Sequence, residues 1–178
     1  MASLSEFFSD PASAGTWTVD VDRSSITVKA KSMWGLMPVN GRFTEFGGDG
    51  QVTAPQKVSG RLGIKAASLR TGIRRRDEHL HSADFFEAEK YPDISVVVTE
   101  ADVIDADTVD LRAQLTIKGT TKPLALKTTV TPVGDGGMRL TTQATIDRQD
   151  FSVDGNMIGM IGDNATISGD VVFRRTGS

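Results

Sequence analysis

The sequence predicts an all-β fold, a closed antiparallel barrel of eight or nine strands with one short helical insert near residues 71–90. Three observations predict it. Apolar and polar residues alternate with a period of two through most of the 178 residues, turn-forming residues separate the alternating runs, and the polar half of nearly every run carries charge or threonine. A sheet face so decorated is not covered by helices or a second sheet, so the apolar face must be buried against itself.

The first run is Trp17 to Val21. In the second, Ile26, Val28 and Ala30 alternate with Thr27, Lys29 and Lys31. Phe43 and Phe46 fall out of register with each other, which predicts a bulge between them. Val58, Gly60, Leu62, Ile64 and Ala66 then alternate with Ser59, Arg61, Gly63 and Lys65, and Ile94 to Val98 is more evenly apolar. Period two returns at Val109, Leu111, Ala113, Leu115 and Ile117, at Leu124, Leu126 and Val130, at Met138, Leu140, Ala144 and Ile146, and at Ile167, Val171 and Phe173. Between the runs lie Asp49-Gly50, Ala106-Asp107, Gly119-Thr120-Thr121, Gly134 to Gly137 and Asp154-Gly155-Asn156, all with turn chemistry. Such short connections imply antiparallel neighbours.

Closure into a barrel buries the inner face and removes exposed strand edges; a two-sheet sandwich is the alternative. An outer-membrane barrel has the opposite sense of alternation, with apolar residues outside, and is excluded. Residues 1–14 are expected to form an N-terminal extension and residues 15–175 one barrel domain. The absence of cysteine excludes disulfides and thiol catalysis. A net charge of −3 and a pI near 5.4 argue against nucleic acid as a partner. No apolar stretch is long enough for a spanning helix and no secretory signal is present in this chain, so the expected protein is cytoplasmic and not embedded in a membrane.

Many inward positions are small: Ala30, Gly41, Gly60, Ala66, Ala113, Thr128, Thr142, Ala144 and Gly169. An eight-stranded barrel has a lumen that side chains just fill or that holds one small ligand, and small side chains favour the second outcome. The competing reading is that these residues fit a tapering, filled barrel. If the lumen is hollow, the expected lining is Trp34, Met37, Phe43, Leu62, Ile64 and Leu80, together with Phe85, Phe86, Val96, Leu115 and Leu126. Two methionine-rich clusters, Met33 to Met37 and Met157 to Ile161, suit either an adaptable cavity mouth or a contact surface.

The insert holds both histidines and the run Arg74-Arg75-Arg76. Arg74 and Arg76, with His79 and His81, are candidates to meet a polar headgroup, because guanidinium forks match phosphate geometry; a solvated face is the plain alternative. A metal would need a third ligand beside His79 and His81, from Asp77, Glu78 or Asp84. Nothing else in the sequence supports one, so neither a metal nor a cofactor is expected. Ser82 is a plausible helix N-cap, with Phe85 and Phe86 following and Tyr91-Pro92 ending the helix.

The order of several short motifs resembles the YceI-like family of bacterial lipocalin-like isoprenoid-binding proteins. The carriers are Trp17-Thr18-Val19-Asp20, Val39-Asn40-Gly41-Arg42-Phe43, Ala67 to Gly72, Arg76 to Ser82, Phe85-Phe86 before Tyr91-Pro92, Leu115 to Thr121 and Asp147 to Phe151. The resemblance implies an extended eight-stranded antiparallel lipocalin-like barrel whose cavity holds a long lipophilic tail, such as a polyisoprenoid, an isoprenoid quinone or a fatty amide. It also implies a non-catalytic carrier, commonly a homodimer, with many relatives exported. The arginine usual in the family is His81 here. Two other functions stay open on the residues: an enzyme or metal-dependent protein using Asp77, His79 and His81, and a filled barrel acting as an interaction module.

Overall fold

Hydrogen bonding between the first strand, β1 (Gly15–Ser32), and the last, β10 (Asn164–Gly177), closes the sheet into a ring. This computed structural model describes residues 3–32, 37–53, 57–153 and 163–177, with the side chains of residues 32 and 37 excepted. The intervening strands are β2 (Met37–Phe43), β3 (Phe46–Thr53), β4 (Lys57–Lys65), β5 (Leu69–Arg70), β6 (Asp93–Val103), β7 (Thr108–Ile117), β8 (Thr120–Pro132) and β9 (Met138–Asp147). All their pairings are antiparallel. The ring runs β1, β3, β4, β6, β7, β8, β9, β10 and back to β1, an eight-strand barrel. A sandwich is ruled out by the β1–β10 ladder, which runs from Thr16↔Gly177 to Ala30↔Ala165.

The two short strands extend this ring. β2 and β3 follow one another along the same edge of β1, pairing with its second and first halves, and β5 pairs with β2 as β4 pairs with β3. Where a bulge was expected, the chain instead breaks at Thr44-Glu45 between β2 and β3, which brings Phe43 and Phe46 to the same buried cluster; the Thr44 N–H donates to the Ser68 carbonyl at 3.1 Å across the break. A second irregularity between Asp20 and Ser25 shifts the β1 register, so Trp17 and Val19 are buried on the same side as Ile26. A third, at Thr99, separates Val98↔Ala113 from Glu100↔Arg112.

Turn chemistry explains the tightest connection. Lys118 and Gly119 have φ of 51° and 77°, the left-handed pair that a two-residue hairpin between β7 and β8 requires. Asp49-Gly50, by contrast, lies inside β3 and is not a turn. Gly48 in the same strand is obligatory for packing, since a Cβ there would stand 2.1 Å from the Arg61 carbonyl oxygen.

Two helices meet the barrel ends. α2 (Arg74–His81) is the expected insert. α1 (Leu4–Ser9) was not legible as a helix: six residues are too few to show a period, and its N-terminus is set by a capping box between Ser3 and Glu6. Leu4 and Phe8 are buried against Val109, Val130 and Met138 at one barrel end, while α2 packs beside β5 at the other.

Outward positions such as Lys29, Arg61, Arg112, Gln114 and Lys127 are exposed, and among the described residues no helix is long and apolar enough to cross a membrane. Across β9 and β10 the Arg139 guanidinium grips Asp170 with two N–H groups. These hydrogen bonds, with the attraction of the two charges, hold the Asp170 carboxyl below the usual carboxylate range against a weaker opposing effect of burial. A depressed folded-state value means that the contribution is present at neutral pH and is lost as the pH falls below about 4. Asp170→Asn is therefore expected to lower stability at neutral pH by no more than about 1 kcal/mol, as for a part-exposed pair. In urea melts at stepped pH, the gap between parent and variant should close on the acid side.

Candidate ligand cavity

The lumen at the α2 end is hollow. A cavity of about 190 Å³ lies inside the wall, against the roughly 10–15 Å³ that one water occupies by this kind of measure. Its small inward residues explain the space: Ala30, Gly41, Thr142, Ala144 and Gly169 all face it. A Cβ at Gly41 would come within 2.8 Å of Leu69 Cδ1, so the wall there is already as thick as its neighbours allow. Gly60 faces a second space at the α1 end, while Ala66, Ala113 and Thr128 are buried in the wall. The Thr128 hydroxyl donates to the Leu126 carbonyl at 3.0 Å, which removes the cost of burying it.

The insert closes one side of the cavity. The chain leaves β5, turns at Gly72 with φ of 91°, and forms α2. Asp77, buried, accepts hydrogen bonds from both the N–H and the hydroxyl of Thr71, and Arg76 donates through Nε to the Thr71 hydroxyl at 2.8 Å and through a terminal nitrogen to the Thr71 carbonyl at 2.9 Å. Ser82 ends the helix as its C-cap, not its N-cap, because its N–H and hydroxyl both bond back to the His79 carbonyl. The chain then doubles back in turns, with the Phe86 N–H donating to the Leu80 carbonyl and the Ala88 N–H to the His81 carbonyl. This reversal sends Leu80, Phe85 and Phe86 together onto the cavity. Lys118 pins the arrangement from the β7–β8 hairpin, donating to the carbonyls of Ala83 and Ser152.

Phe43, Leu62, Ile64, Val96, Leu115 and Leu126 join these three on the cavity wall. Trp34 lies outside the described residues, as does the Met157–Ile161 cluster, and of Met37 only the strand position is described. The lining also includes Ile26, Val28, Ile117, Ile146 and Ile167, all on the inward register of their strands, so the alternation was the signal that would have found them. Phe151, Val153 and Arg148 carried no such signal, because they lie in and after a 3-10 turn following β9.

Among the described residues, Arg148 is the one charged residue on this lining. It is 6% exposed, donates to the Val153 carbonyl at 2.6 Å, pairs with Asp163 at 3.7 Å and lies 5.9 Å from the centre of the Phe85 ring. Its charge is thus spent on holding the turn at the cavity end.

The candidate polar residues do not converge. His79 bonds Asp84 at 3.0 Å and meets the Phe85 ring edge-on, whereas His81 bonds the Leu69 carbonyl at 3.0 Å. Two residues apart on a helix, they point to nearly opposite sides. Arg74 is solvated and pairs with Glu78, one turn along the same helix. Among the described residues no three His, Asp or Glu side chains are gathered as a metal would require. Asp77→Ala is expected to leave the Thr71 N–H and hydroxyl without their acceptor and to cost about 1–3 kcal/mol in a urea melt, while Arg74→Ala should cost less than about 0.5 kcal/mol.

A closed antiparallel barrel around an apolar lumen defines a lipocalin-like fold. The profile of the YceI-like domain matches residues 17–173, and this chain belongs to the YceI-like family. A UPF0312 protein of Pseudomonas putida is 32% identical over 154 residues, 81% of this chain and 79% of that one. BcnA of Burkholderia cenocepacia superposes with a TM-score of 0.79 at 21% identity, over 86% of this chain and 98% of that one. A polyisoprenoid binding domain from Saccharophagus degradans, implicated in plant cell wall breakdown, superposes with a TM-score of 0.76 at 16% identity, over 90% and 98%.

Proposed function

We propose that this barrel binds a long-chain lipophile, a polyisoprenoid, isoprenoid quinone or fatty amide, and carries or sequesters it without chemistry. The observation that carries this reading is the 190 Å³ cavity walled almost wholly by aliphatic and aromatic side chains. At roughly 24 cal/mol per Å³, an empty void of that size forfeits on the order of 4–5 kcal/mol, a large share of a domain's stability. An apolar guest recovers that loss, and water does not, because the wall offers it few hydrogen-bonding partners. The Saccharophagus neighbour, described as polyisoprenoid binding, supports the same ligand class.

The rival readings have less behind them. An interaction module with a filled interior conflicts with the hollow lumen. A centre built on Asp77, His79 and His81 conflicts with their separate commitments to Thr71, Asp84 and Leu69.

Binding by chain burial gains about 0.8 kcal/mol per methylene, so affinity should climb with tail length and change little with salt. Native mass spectrometry of gently purified protein should show a co-purified lipid. Ala144→Phe projects a ring into the lumen and is expected to weaken binding of a polyprenol at least tenfold, with the melting temperature unchanged or raised. Undiminished binding in that variant would place the ligand elsewhere.

A further inference from the structure

The α1 end of the barrel contains a second apolar space of about 110 Å³, bounded by Phe7, Phe8, Trp17, Val98, Leu140 and Phe173 among others. The two spaces are successive stretches of one lumen. On four strands their wall residues are consecutive inward positions: Leu62 and Gly60, Val96 and Val98, Thr142 and Leu140, Val171 and Phe173. Such neighbours stand only about 7 Å apart along a strand. On β7 and β8 one inward residue intervenes, and both, Ala113 and Thr128, are small. Val96 and Leu124 pack against both buried clusters, so side chains, which rotate readily compared with backbone, lie between the spaces.

The far end is closed by this chain's own N-terminal helix. Phe7 stacks edge-on to Phe8 at 5.4 Å and to Trp17 at 5.6 Å, and both Phe7 and Phe8 face the second space. The helix is fastened at several points. The Ser3–Glu6 capping box sets its start, the Leu4 N–H donates to the Ala106 carbonyl at 3.2 Å, and Trp17 Nε1 donates to the Ser13 carbonyl at 2.9 Å.

We propose that α1 is the floor of a two-stage tunnel, and that Phe7 and Phe8 set the longest tail the barrel accepts. This rests on the lipophile-binding reading and adds where the tail ends. From Ala165 to Phe173 the wall of β10 covers about 27 Å along the strand, or about 20 Å along a barrel axis to which strands tilt by 35–45°. That is the extent of an extended palmityl chain. A tail of this length enters past α2, displaces the side-chain tips of Val96 and Leu124, and stops against the Phe7–Trp17 stack.

The test is a titration of the full chain with straight-chain alcohols from octanol to docosanol, delivered from cyclodextrin. In the parent, affinity should rise about fourfold per methylene and then level off where the tail meets α1. Phe7→Ala should move the plateau to longer tails, and Val98→Phe should move it to shorter ones. Trp17 supplies an independent readout, because the chain has two tryptophans and Trp34→Phe leaves Trp17 as the sole indole. Its emission should shift only with alcohols near the plateau length. A plateau unmoved in both variants, or a Trp17 response that begins with octanol, overturns the floor while leaving lipophile binding intact. No binding at any length overturns both.

Discussion

Closure of the sheet between β1 and β10 is the constraint on which the rest depends. Once the ring is shut, inward side chains share one lumen of fixed girth and cannot relax outward to fill a gap. Interiors otherwise pack at near-crystalline density, so a wall with Gly41, Ala30, Ala144 and Gly169 facing inward leaves space that no neighbour reaches. The cavity follows from sheet closure and a handful of small residues, without any loop having to hold it open.

The insert between β5 and β6 converts that space into a site. Its backbone is folded by polar contacts among its own residues and the strand end before it: Asp77 and Arg76 both grip Thr71, and Ser82 ties back to His79. Its apolar residues are thereby free to be aimed inward as a group. The charged residues that look most suggestive in the sequence are mostly the scaffold of this turn. Arg148 behaves alike at the cavity end, where burial is offset by the Val153 carbonyl and Asp163. Polar chemistry in this protein holds the wall in shape, and the described wall offers an almost wholly apolar surface.

The legible part of the site came from periodicity. Leu62, Ile64, Val96, Leu115 and Leu126 lie in strands where every second residue must face the lumen, so their placement on the wall was open to reading from spacing alone. Phe43 was legible for the same reason, and its mismatch with Phe46 marks the break between β2 and β3. The Asp49-Gly50 pair has the composition of a turn but lies in β3, because the glycines there serve close approach to the antiparallel neighbour β4: a Cβ at Gly48 would stand against the Arg61 carbonyl. Ser82 was misassigned because a serine caps either end of a helix, and only the direction of its hydrogen bonds distinguishes them.

The alternation of side chains along each strand, a local property of the chain, was enough to determine an all-β fold with a polar exterior and to favour a barrel with small inward residues; that the sheet closes and the interior stays hollow was decided by the β1–β10 ladder and the packing of the wall. What only the tertiary structure decided are the relations between distant segments. Phe7 and Phe8 of α1 meet Trp17 of β1 at the far mouth, Arg148 meets the ring of Phe85, and Val96 and Leu124 lie between two apolar spaces of the lumen. None of these has a period or a motif, because each depends on which strands become neighbours when the ring closes, and that is settled by the summed pairing of the whole sheet.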